Sequence, residues 1–244
     1  MRTRWMFLLL FLTGAVVAVA TAGSGSGEPK YTTEFALERC PRLVPYGGNL
    51  YFPLQTGLFR RYEGEDEDGS FVELEITVLR KTRTVEFEVD DQWKKAETRV
   101  IQEREWVDGE LVEESWNYFA CCTKTGNVFY FGEEVDIYED GEVVSHDGAW
   151  LAGEDDAEPG LIMPSVFLLG SRYFQEIAPD VALDRAEHVE MDLEIETEAG
   201  DFEDCVMVVE TTPLEPGHES IKIYAPGVGL IVDSFLEIVE VEYD

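Results

Sequence analysis

The stretch Arg99-Val100-Ile101-Gln102-Glu103-Arg104-Glu105-Trp106-Val107-Asp108-Gly109-Glu110-Leu111-Val112-Glu113-Glu114-Ser115-Trp116-Asn117-Tyr118-Phe119 decides the fold. Asp108-Gly109 lies between two runs that carry apolar and aromatic residues. Asp-Gly in that setting is the strongest short hairpin signal, because a type I′ turn needs φ > 0 at both central residues. Further along, Gly126-Asn127 separates Phe119 from Val128-Phe129-Tyr130-Phe131, and Asp140-Gly141 separates Ile137-Tyr138 from Val143-Val144. Successive turn signals within residues 98–150 predict an antiparallel meander. They predict no chemistry.

The flanks extend the pattern. In residues 71–79, Val72, Leu74, Ile76 and Val78 point one way and Glu73, Glu75 and Thr77 the other, so this strand has one dry and one wet face. Residues 84–89 repeat the alternation. Residues 146–164 break it with Gly148, Gly153, Glu154-Asp155-Asp156 and Pro159-Gly160, and read as a long irregular connection whose Trp150 and Leu161-Ile162-Met163 fold back as core anchors, the alternative being a loop over a pocket mouth. Residues 32–39 suit a short helix stopped by Cys40-Pro41 and Pro45. Residues 180–189 suit a short helix or the start of a strand that alternates through Val189, Met191, Leu193 and Ile195. Two alternating runs, 230–232 and 235–243, end the chain. The expected class is all-β: a mostly antiparallel curved sheet, closing toward a barrel or sandwich, with little helix.

Residues 1–22 read as a secretory signal peptide, with a basic start at Arg2 and Arg4, an apolar run, and a small-x-small site that places cleavage between Ala22 and Gly23. Residues 23–48 form a linker and N-terminal segment, and 49–244 a single β domain. The expected location is secreted, periplasmic or cell-envelope, with no transmembrane span in the mature chain. Removing residues 1–22 leaves 52 acidic residues and two fewer than the 18 basic ones. So negative a surface repels nucleic acid and anionic lipid, which removes both as partners. It also admits an acidic cation-binding surface protein. With 45% hydrophobic and 12% aromatic residues, general disorder is excluded.

Cys40, Cys121, Cys122 and Cys205 allow three pairings in an exported chain. Neighbouring strand residues face opposite sides, so Cys121 and Cys122 seek different partners. One or two structural bridges, or buried thiols, are expected.

Several motifs resemble a group of exported bacterial proteins of unknown function. They are Tyr51-Phe52-Pro53-Leu54, Gly126-Asn127-Val128, Tyr130-Phe131-Gly132-Glu133, Tyr138-Glu139-Asp140-Gly141, Thr212-Pro213-Leu214-Glu215-Pro216-Gly217 and Tyr224-Ala225-Pro226-Gly227-Val228-Gly229. The resemblance spans roughly residues 51–232 and implies an envelope β domain without an assigned reaction.

Catalytic patterns are sparse. His146, His188 and His218 lack metal-ligand spacing and read as surface residues. There is no Gly-x-Ser-x-Gly, no Cys-x-x-Cys and no calcium loop, and Gly227-Val228-Gly229 reads as a strand bend. No cofactor or metal is therefore expected. The aromatic residues Trp116, Tyr118, Tyr130, Trp150 and Tyr173 are the candidate ligand-binding set, as the lining of a concave sheet. The sequence thus points to a non-enzymatic binding or envelope-associated module for a small apolar or amphiphilic ligand or an envelope protein. The alternative is an extracytoplasmic hydrolase with a site assembled from loops. A sizeable apolar cavity with no convergent His, Ser or carboxylates would favour binding, and a deep cleft with two carboxylates and a raised pKa would favour the hydrolase.

Overall fold

The computed structural model describes residues 29–243. Ala22, Gly23 and the rest of the expected leader lie outside them. The strands, in chain order, are β1 (Leu43–Val44), β2 (Leu58–Glu65), β3 (Phe71–Val89), β4 (Gln92–Val107), β5 (Glu110–Cys122), β6 (Val128–Glu139), β7 (Glu142–Ser145), β8 (Trp150–Leu151), β9 (Gly160–Met163), β10 (Arg172–Phe174), β11 (Arg185–Thr197), β12 (Gly200–Thr211), β13 (Ser220–Ala225), β14 (Gly229–Asp233) and β15 (Leu236–Tyr243). Helix among the described residues is limited to one 3-10 turn at Leu37–Arg39, shorter than the helix expected over 32–39. No helix of the described residues is long and apolar enough to cross a membrane.

One antiparallel sheet runs β10-β11-β12-β13-β14-β15-β2-β3-β4-β5-β6-β7. The meander read from the turns is present as β4 through β7. Asp108 and Gly109 take φ of 50° and 83°, and Asp140 and Gly141 take 52° and 78°, the positive values a type I′ turn requires. The dry row of β3 is buried, with Val72, Leu74, Ile76 and Val78 all at or under 6% exposed.

The sheet is not closed, but it curls until its ends approach. β9 pairs with β6, and just before it Glu158 bridges Ile177 beyond β10. A side chain on Gly160 would run into the Gln175 carbonyl, so two backbones touch at this seam. Trp150 and Met163 are buried there, as their expected role of anchors requires.

Curling gives the sheet an inner and an outer face, and opposed residues in an antiparallel pair share a face. The inner face carries Tyr62, Leu74, Ile76, Ile231 and Ile238 as an apolar belt. The outer face is covered locally. The far half of the β3–β4 hairpin extends past the sheet and brings Phe87 to Phe131 at 5.1 Å between ring centroids. Residues before β1 are stitched in rather than trailing. Thr32 bridges Tyr173, β1 pairs with the end of β5, and Cys40 is disulfide-bonded to Cys122 with Cα atoms 5.8 Å apart. Cys121 and Cys205 are buried free thiols.

Candidate functional site

The acids of the meander do not all face water. Tyr62 opposes Leu74, Leu74 opposes Glu105, and Glu105 opposes Glu113, so both glutamates share the inner face with the apolar belt. Likewise Ile76 opposes Glu103, and Glu103 opposes Ser115. On the other wall, Ala186 opposes Glu210 and Lys222 opposes Asp233. These charged groups are half-buried: they stand inside the curl and still touch solvent. A cavity of about 130 Å³ lies among Glu103, Glu105, Glu113, Lys222, Asp233 and Ser220.

A bulge brings a further acid inward. Asn117 opposes Glu133 and Phe119 opposes Tyr130, so β6 has one more residue than β5 between these pairs. Gly132 takes up the extra residue at φ 126°, where a side chain would strike the Trp150 carbonyl. Tyr130 and Glu133 therefore face the same way although they are three apart. The Tyr130 hydroxyl bonds Asn117 Oδ1.

Past β10, the chain delivers Gln175, Glu176 and Asp184 to the same interior. Gln175 is 2% exposed; its Nε2 donates to Glu210 Oε1 at 2.6 Å, and its Oε1 has no hydrogen-bond partner. Lys222 Nζ is engaged by Asp233 and stands 3.9 Å from Glu210 Oε2. Arg60 Nε is also buried without a partner.

So many acids in one poorly solvated space hold their protons to a higher pH than free carboxyl groups do. Burial pushes Glu103 up to about 7, against the attraction of Arg60. Burial first, then Glu113 across the ladder, pushes Glu105 up to about 8. Burial also raises Glu113 and takes Glu210 to about 7. Glu133, Glu176 and Asp184 rise for the same first reason, Glu133 and Glu176 also repelling each other. The Lys222 ammonium is driven up, because Asp233 and Glu210 outweigh its own desolvation.

No protein-family model, no curated protein and no solved structure matches this chain.

The five aromatic candidates divide between the faces. Tyr130, Trp150 and Tyr173 are inner. Tyr130 stacks on Phe119 at 4.5 Å and meets Trp150 edge-on at 5.3 Å. Tyr173 shares a 2.8 Å hydrogen bond with His188 Nε2. Trp116 and Tyr118 are on the outer face. There Arg83 donates to the Tyr118 hydroxyl at 2.7 Å and covers the ring. His188 departs from the surface position read for it: it is 1% exposed and stacked on Phe167 at 3.8 Å, with burial lowering it to about 4. Its neutral ring fits between two aromatic rings, which a solvated imidazolium would not. Sequence reasoning missed the interior acids, because a glutamate in an acid-rich chain reads as a wet-face residue. The available signal was Ile101-x-Glu103-x-Glu105-x-Val107, where the acids share the parity of flanking apolar residues.

A wider cleft of about 890 Å³ opens between residues 33–39, the β3–β4 turn and residues 153–159, with Trp93 at its lip. Among the described residues, no group of three or more His, Cys, Asp or Glu side chains is arranged to hold a metal ion.

Proposed function

We propose that this chain is an exported, non-enzymatic binding module that takes a small polar ligand inside its curled sheet. The observation that supports this most is the orphaned Gln175 Oε1 among carboxyl groups that a closed apolar core would not tolerate. Interior acids favour a polar ligand over the apolar or amphiphilic one read from the aromatics. The Cys40–Cys122 bond fits an oxidising compartment, in keeping with export.

Native mass spectrometry of the protein isolated from its own host tests the reading. A retained small solute is expected as an added mass. A bare protein whose melting temperature is unmoved by amines, amino acids and sugars would remove it.

The facing of Glu105 by Glu113 favours a second reading, hydrolysis by a carboxyl pair that shares a proton. Turnover of aryl glycosides or esters, lost in Glu113→Gln, would establish that reading instead.

A further inference from the structure

Three of the five most exposed large apolar side chains among the described residues sit in one loop, residues 165–171 between β9 and β10. Independently of what the interior holds, we propose that this loop is a membrane-facing tip that enters the surface of a neutral lipid bilayer. It reads Ser165-Val166-Phe167-Leu168-Leu169-Gly170-Ser171. Phe167 fixes it from within, stacked on the buried His188 at 3.8 Å and edge-on to Tyr51 at 6.1 Å. The flanking side chains turn the other way: Val166, Leu168 and Leu169 are 63%, 61% and 57% exposed. Gly170 donates to the His188 carbonyl and Ser171 accepts from the His188 N–H, so the loop lies against β11. Val189 and Met191, next on that strand, are exposed as well. Aliphatic side chains gathered this way mark a surface that something covers.

What covers it follows from where the chain before Thr32 leads. Thr32 bridges Tyr173 in the parallel sense: its N–H donates to the Arg172 carbonyl and its own carbonyl accepts from the Phe174 N–H. Parallel neighbours run together, so going back from Thr32 leads along Arg172 toward Ser171 and the loop. The described residues start at Pro29, on course for that end. Before it the sequence holds the Gly/Ser linker 23–27 and the apolar run 5–20, the stretch composed for a membrane. While that run is attached, the domain meets the membrane by the end that carries Val166, Leu168 and Leu169.

The local charge agrees. In a chain of 52 acidic and 18 basic residues, this end holds Lys30, Arg172 and Arg185, and the Arg185 guanidinium lies over the Tyr31 ring at 4.4 Å. Basic side chains and a tyrosine around an aliphatic tip are the set that rests at headgroup level. Glu187 is bonded to Arg172. Further along β11, Glu190 and Asp192 stay in water, keep the contact shallow and disfavour an anionic surface. A second copy would bring its own acids against these. A groove on another protein is held by aromatic or arginine anchors, and this tip is aliphatic.

A fluorophore on the tip tests the proposal. Cys40 and Cys122 are bonded and Cys121 and Cys205 buried, so a thiol-reactive NBD label goes to an added cysteine. In the full chain with Leu168→Cys, NBD emission is expected to shift to the blue on phosphatidylcholine vesicles, and to be quenched by lipid with a nitroxide on its acyl chain. The same label on Val143→Cys, exposed on β7 at the far end of β6, is expected to keep its aqueous emission. Adding Val166→Asn and Leu169→Asn to the labelled Leu168→Cys protein should abolish the shift. If Leu168→Cys does not fold, Val166→Cys carries the label. A retained apolar run would tether the chain to vesicles without drawing residue 168 among acyl chains, so the label reads the tip alone.

Aqueous emission at residue 168 in the presence of vesicles, or an equal shift at residue 143, would overturn the proposal. A blue shift without vesicles would overturn it too. One that grows with protein concentration would assign the loop to a second copy, and one independent of concentration to another part of the same chain.

Discussion

Glu105 on β4 stands directly across from Glu113 on β5, both on the inner face of the sheet. Like charges in facing positions destabilise a ladder, and this pair is held only as long as protons are shared. Burial and the facing Glu113 take Glu105 up to about 8, and burial raises Glu113.

Stability should therefore fall as pH rises through neutrality. The folded chain binds more protons than the unfolded one wherever a carboxyl pKa is raised. That contribution is complete below the unfolded value of about 4.3 and is lost as pH climbs through the folded values. For Glu103, Glu105 and Glu210 the window ends near 7 to 8. Partial solvation discounts each group, but several act together. A melting temperature about 5–10 °C lower at pH 8.5 than at pH 5.5 is expected, at roughly 2–4 °C per kcal/mol. Glu105→Gln should raise the value at pH 8.5 and flatten the slope. A melting temperature independent of pH in this window would contradict the interior placement.

The Gly132 bulge gives a conformational prediction. Its φ of 126° and its contact with the Trp150 carbonyl leave no room for a side chain. Gly132→Ala should cost about 2–3 kcal/mol and disturb the near-UV signal of Tyr130 and Trp150. Gly141→Ala meets nothing within 4 Å, so its cost is that of the turn φ alone and smaller. Chemical denaturation of both variants ranks them. The reverse order would place the bulge elsewhere.

How much was legible in the sequence follows from where the signal is local. Asp108-Gly109 and Asp140-Gly141 could be read because a two-residue turn states its φ requirement in its own residues. Asp90-Asp91 makes the same turn at φ 52° and 56° without the glycine that advertises it, so the sequence does not announce β3 and β4 as one long hairpin. The facing of Val72 to Val78 was legible because apolar and polar alternate there. Glu103 and Glu105 break that code: their side depends on which strands curl over them, and only the pairing of β15 with β2 and the seam at β9 decides it. Gln175 and His188 were invisible for the same reason. Their partners, Glu210 and Tyr173, lie 35 and 15 residues away.

Thiol counting tests the N-terminal stitching. With Cys40 and Cys122 bonded, the unreduced protein in denaturant should show two reactive thiols, Cys121 and Cys205, and the native protein almost none because both are buried. Four thiols would exclude the bond. The bridge closes a separation of 82 residues, for which chain entropy gives about 4.5 kcal/mol. Cys40→Ser with Cys122→Ser should lose stability on that scale.

Lys222 offers the sharpest separation of charge from packing. Its ammonium is engaged with Asp233 and lies 3.9 Å from Glu210, and all three side chains are 16–21% exposed. Lys222→Met keeps the stem and removes the charge, leaving two carboxylates without a cation in a poorly solvated place. Breaking a buried pair from one side costs about 3–5 kcal/mol, here at pH 8, where Glu210 with its pKa near 7 is ionised. At pH 5 Glu210 holds a proton and one of the two uncompensated charges is gone, so the loss should shrink by about half. The double variant Lys222→Met with Asp233→Leu should regain about half of the lost stability at pH 8, because one of the two stranded carboxylates is gone while Glu210 keeps its charge. A Lys222→Met defect equal at pH 5 and pH 8 would mean that Glu210 does not feel the Lys222 charge.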